Sequence, residues 1–144
     1  MTGREPEIYV NRVQSAGPIS EEDVVRAVRA VAQAEGMTSG EISITFVDAA
    51  AIAVLNETHL ERSGSTDVIA FNLAEPGQPL GDVYICPEVA ARSAQEWGVE
   101  LREELLRLVI HGILHVAGHD HPEGEERLES EMFRRQEAIL AAVI

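Results

Sequence analysis

Apolar residues recur along the chain with two different periods, and the switches between them mark the elements. From Glu7 to Val13, Ile8 and Val10 stand at alternate positions, which predicts a first strand, and Gly17-Pro18 breaks it. Val24, Val28 and Val31 then repeat at helical spacing. Ser20 is a good N-cap for that helix, Asp23 stands where a capping box places its acceptor, and Gly36 supplies the stop. Glu41 to Val47 returns to alternation, with Ile42, Ile44 and Phe46 on one face. Asp48 is placed to cap a second helix over Ala49 to His59, which packs through Ile52 and Leu55.

Leu60 to Asp67 reads as a loop, Val68 to Leu73 as a strand and Glu75 to Pro79 as a turn. Gly81 to Cys86 follows as a strand, the second arm of a hairpin-like pair. Pro87 suits the first turn of a helix that runs to about Trp97 and ends at Gly98. Glu100, Glu103 and Glu104 open the next helix with negative charge where its dipole favours it. By Ile110, Ile113, Leu114 and Val116 that helix is apolar on nearly every side, so it is predicted to be buried and central, ending at about Ala117 and closed by Gly118. A polar loop to Gly124 and a final helix carrying Leu128, Met132, Ile139 and Val143 complete the chain. This order predicts an α+β fold with α/β-like features: one domain over residues 1–144, with a mixed sheet of about four strands flanked by about five helices.

Composition supports one packed unit, since 144 residues with 45% hydrophobic and 25% charged residues match an ordinary globular domain. Arg4, Glu5, Glu7 and Arg12 interrupt the N-terminal stretch, so neither a signal peptide nor a membrane span is expected there, and the expected location is the cytoplasm. The single cysteine, Cys86, has no partner for an internal disulfide and is read as a small core residue. Charge complicates any role with nucleic acid. Eleven basic residues, all arginine, face twenty-five acids for a net charge of −14. Binding to a phosphate backbone is driven by counterion release from basic groups, so such a chain must gather its arginines on one face or borrow charge from a partner.

The chemistry gathers between His111 and His121, where four of the five histidines lie. His111 and His115 are four residues apart, so on a helix both imidazoles leave the same face about 6 Å apart along the axis and can share one ion. Gly118 is suited to a left-handed turn that brings the chain back toward that ion. His121 is then the expected third ligand, with His119 as the competitor; the additional reach past the turn favours His121. Three imidazoles at about 2.0–2.1 Å leave a fourth tetrahedral position open for water, the pattern of catalytic zinc. Such an ion lowers the pKa of bound water to about 7 and polarises a carbonyl or phosphoryl oxygen, so hydrolysis is the natural reaction class. One zinc ion is expected, although nickel, copper and iron also accept three imidazoles. Asp120 is a candidate for orienting a ligand imidazole or accepting a proton. Thr66 and Asp67, at a loop-to-strand junction, are explained by local hydrogen bonding.

The spacing H-x-x-x-H-x-x-G-x-x-H is shared with the metzincin proteases, but those place a glutamate as general base where this chain has Gly112. The segment more closely resembles the YbeY family of endoribonucleases, whose pattern H-G-x-L-H-x-x-G-Y-D-H is met at every specified position except His119. Leu55-Asn56, Ser65 to Phe71 and Gly81 to Ile85 also look like that family's L-N, P-T-D-V-L-S-F and G-D-I-x-I blocks, in the same order. The resemblance implies a metal-dependent endoribonuclease that acts on single-stranded RNA in rRNA maturation and ribosome quality control. It further implies a four-stranded sheet, a metal helix beside a positively charged cavity, and contact with the small ribosomal subunit. Neither DNA nor a membrane is an expected partner. The chain departs from the family at Leu60, where an arginine is usual; Arg62, two residues on, is the candidate for gripping substrate phosphate and, with Asp120, a candidate catalytic group. Two alternatives stay open: a metal-dependent hydrolase of another substrate, and a ribosome-assembly factor whose metal is structural.

Overall fold

Alternation within the strands decides how the layers stack. The computed structural model describes residues 6–12, 17–60, 67–72, 80–118 and 130–144. Strands β1 (Glu7–Arg12), β2 (Glu41–Phe46), β3 (Val68–Asn72) and β4 (Leu80–Ile85) form one sheet in the order β1-β2-β4-β3. β2 runs parallel to β1 and to β4, whereas β3 is antiparallel to β4. The register opposes Ile8 to Ile42, Ile44 to Val83 and Phe46 to Ile85, so these side chains share one face. Helices α1 (Glu21–Glu35), α4 (Leu101–Val116) and α5 (Glu131–Val143) bury that face in the larger apolar cluster. α2 (Ala49–Leu60) covers the other face through a smaller cluster of Val47, Ile52, Ile69 and Cys86, and α3 (Pro87–Trp97) packs beside α4.

The local signals act as their chemistry requires. Ser20 Oγ accepts from the Asp23 N–H and Asp23 Oδ2 accepts from the Ser20 N–H, each at 3.1 Å, completing the capping box of α1. Asp48 Oδ1 accepts from the Ala51 N–H at 2.8 Å and starts α2. The predicted fold class, with four mixed strands and five helices, agrees with the described residues. One end shifts: Cys86 leaves the strand to become the N-cap of α3. At the start of α5, Ser130 Oγ accepts from the Phe133 N–H at 3.1 Å. Leu128 lies outside the described residues, as do Val13 and Leu73 at the predicted strand ends.

α4 is the hub, in contact with α1, α3, α5, β3 and β4. Its close seat on the sheet depends on two residues without side chains. A Cβ on Gly112 would lie 2.6 Å from Val83 Cγ1, and one on Gly81 would lie 2.5 Å from Val116 Cγ1. Both distances are below van der Waals contact, so the helix rests on β4 at a separation that only glycine permits. Gly112 therefore has a packing reason of its own, beyond the absence of a glutamate.

Candidate metal centre

His111 and His115 stand one turn apart in the second half of α4, both half-buried between apolar neighbours. Their Nε2 atoms are 3.1 Å apart, with ring centroids at 4.6 Å and ring planes crossed by 79°. Two nitrogens bound to one tetrahedral ion at about 2.05 Å lie about 3.3 Å from each other. The described pair thus fits a shared cation of zinc size. After α4, Gly118 takes φ 104°, and its N–H donates to the His115 carbonyl at 3.0 Å, so the chain leaves the helix through a turn of the expected kind. His121, its competitor His119 and the candidates Asp120 and Arg62 lie outside the described residues, and among the described ones no third His, Cys, Asp or Glu completes a set.

Behind the pair runs a polar chain that sequence reasoning missed. His111 Nδ1 is 2.6 Å from Oε1 of Gln136, a side chain on α5 that is only 4% exposed. Gln136 Nε2 donates to Glu137 Oε2 at 3.1 Å. Arg107, one turn before His111, grips Glu137 with Nε and Nη2 at 2.9 and 3.0 Å. The same guanidinium donates to Glu104 at 2.8 Å and to Glu103 at 3.2 Å. The available signal was Gln136 itself. It interrupts the apolar stripe of Met132, Ile139, Leu140 and Val143, and a polar residue at a buried helix position requires a partner.

Electrostatics in this network are uneven. Burial pushes the Glu104 carboxyl above its usual range and outweighs the hydrogen bond from Arg107 that opposes it. Burial acts on Glu137 in the same sense, but there the hydrogen bonds from Arg107 and Gln136 prevail and hold it low. Arg107 is held protonated well above its ordinary value, first by its hydrogen bond to Glu137.

A cavity of about 590 Å³ opens beside His111, with Trp97 and Phe133 among its walls. Its described lining carries Asp67, Glu96, Glu104 and Glu137 against Arg107, which is already paired. The expectation of a positively charged cavity is therefore not met among the described residues. The Asp67 carbonyl accepts the Cys86 N–H at 2.9 Å where β3 meets β4. Cys86 is fully buried under α2 and its thiol is pushed up by burial, in keeping with a core residue. Among the described residues no helix is long and apolar enough to cross a membrane.

A four-stranded mixed sheet packed against helices defines a class of small α+β proteins, and the solution structure of TM1509 from Thermotoga maritima shares that fold. That structure matches with a TM-score of 0.68 at 29% identity, over 94% of this chain and 88% of that one. The family model described as Endoribonuclease YbeY matches residues 10–144, and the chain belongs to that family. It is 39% identical to Endoribonuclease YbeY of Moorella thermoacetica, over 95% of this chain and 97% of that protein. Similarity to the Micrococcus luteus Endoribonuclease YbeY is 38%, over 91% of this chain and 88% of the relative.

Proposed function

We propose that the protein is a zinc-dependent endoribonuclease that cuts single-stranded RNA, with rRNA precursors as substrate, and that it works in ribosome maturation and quality control beside the small ribosomal subunit. The 3.1 Å approach of the His111 and His115 Nε2 atoms carries this reading, with family membership supplying the class of substrate. His121 is proposed as the third ligand. Zinc, when bound, supplies a Lewis acid for a phosphodiester oxygen and a water of lowered pKa. The chain's own residues do the rest. His111 and His115 hold the ion at the cavity edge, and Trp97 and Phe133 offer ring faces on which unpaired bases stack. The acidic lining repels phosphate but can accept hydrogen bonds from the exocyclic amines of bases, so the positive charge that draws the scissile phosphate in has to come from the bound ion and from arginine. Arg62 is the proposed phosphate contact.

The test is cleavage of single-stranded RNA by protein of known metal content beside a His115→Ala variant. The wild type is expected to cut and the variant to lose at least ~100-fold of that rate, in line with loss of metal catalysis. Equal cutting by both proteins would trace the activity to something other than this site. The acidic cavity favours one second reading, an assembly factor with a structural metal. Metal-loaded protein that cuts nothing but co-sediments with small ribosomal subunits establishes that alternative.

A further inference from the structure

The hydrogen-bond chain behind His111 has a direction, and each partner's chemistry fixes it. Arg107 only donates, and it occupies both oxygens of Glu137. A carboxylate so held only accepts, so the Gln136 group facing Glu137 must be the amide NH2. Its other end, Oε1, then faces His111 as an acceptor, and the 2.6 Å contact requires a proton on Nδ1. In a neutral imidazole that leaves Nε2 unprotonated, and Nε2 is the atom directed at His115.

We infer that Gln136 is a positioning residue: clamped by Arg107 and Glu137, it sets the tautomer and ring angle of His111 so that Nε2 is ready to ligate a cation before one arrives. The inference rests on the reading of His111 and His115 as ligands, but it describes the metal-free protein and can be tested there. Its physical content is preorganisation. Gln136 is buried and its amide is held from behind, so His111 does not have to discard a proton from Nε2 or rotate when the ion binds.

The decisive measurement is the tautomer of His111 in metal-free protein, read from ¹⁵N chemical shifts and two-bond couplings of the ring, alongside Zn²⁺ affinity from competition with a chromophoric chelator. Wild type is expected to show the Nδ1–H form. Gln136→Leu, which keeps the volume and removes the acceptor, is expected to fold with an unchanged circular-dichroism spectrum, to shift His111 toward the Nε2–H form and to bind Zn²⁺ about 10- to 100-fold more weakly. Glu137→Gln leaves Gln136 in place and frees its amide to turn over. It is expected to give a mixture of tautomers and a smaller loss of affinity, and it decides the question should Gln136→Leu fail to fold. An unchanged Nδ1–H form in either folded variant overturns the inference. Wild type that shows the Nδ1–H form but binds no Zn²⁺ instead removes the ligand reading and leaves the positioning of His111 standing.

Discussion

The two faces of the sheet come from the same alternating strands, yet they are packed very differently. Toward α1, α4 and α5 the strands present Ile42, Ile44, Phe46, Val83 and Ile85, none with measurable exposure. On the α2 face the alternate positions include Ser43, Thr45, Asp82 and Tyr84. Asn11 there donates to Ser43 and Thr45, and the Tyr84 hydroxyl donates to Asp82 at 2.9 Å. The apolar contribution to that face is the small cluster around Ile52. Both histidines sit on a helix of the crowded face. A pair of nitrogens held 3.1 Å apart keeps that spacing only if the helix beneath cannot slide, and close packing against β4 supplies that restraint.

Two isoleucines put a number on the contrast, because Ile113 and Ile52 are both fully buried, one on each face. Truncating either removes the same atoms, so the difference lies in how far the surroundings collapse into the space left behind. Ile113→Ala is expected to cost about 4 kcal/mol and Ile52→Ala about 2 kcal/mol in urea unfolding, within the range for such cavities. Equal losses would mean that the two faces are equally tight and that the contrast is only one of composition.

Much of this contrast could be read before any coordinates, and the part that could not has a common cause. Period switches located all nine described elements, and Ser20, Asp48, Pro87 and Gly98 marked their ends, because these signals act within one turn of chain. The facing of His111 and His115 is also a local consequence of four-residue spacing on a helix. Sheet order was not legible: nothing near β2 states that β4, two strands further along, lies beside it. Nor was the contact from Gln136 to His111, which spans twenty-five residues and exists only because α5 crosses α4 at that turn. Net charge predicted a difficulty with phosphate but not where the acids would gather, and that turned out to include the cavity wall.

Gly112 tests whether the crowded face governs the site. An added methyl would meet Val83 Cγ1 at 2.6 Å and Cγ2 at 3.2 Å, and Val83 is itself fully buried on a central strand with no room to retreat. Gly112→Ala gains helix propensity of up to about 1 kcal/mol. Overpacking of this kind costs about 1–3 kcal/mol, so a net loss of about 1–2 kcal/mol is expected. Pushing α4 away from β4 also moves His111 relative to α5, so Zn²⁺ affinity should fall more than the melting temperature suggests. A variant that melts like wild type and binds Zn²⁺ equally well would show that the close approach of helix and sheet is incidental to the histidine pair.

The smallest effect belongs to the rim of the crowded face, where Asp23 ties α1 to the start of α4. Arg102 Nη2 donates to Asp23 Oδ1 at 3.0 Å, and the other carboxylate oxygen closes the capping box with Ser20. The Arg102 hydrogen bond, followed by the one from the Ser20 backbone, holds this carboxyl below its ordinary value. A carboxyl whose pKa is lowered on folding stabilises the fold fully above its unfolded pKa of about 3.9, and the contribution disappears as pH falls through the lower folded value. Asp23→Asn keeps the side-chain shape but removes the charge together with one of the two hydrogen-bond acceptors. At pH 7 the expected cost is about 0.5–1 kcal/mol, in keeping with a capping interaction and a solvent-screened ion pair. Unfolding curves of the two proteins should converge as the pH falls through the lowered folded value. A difference that persists unchanged into acid would assign the effect to geometry instead of charge, and the rim would then belong to the same tightly packed unit as the helix it borders.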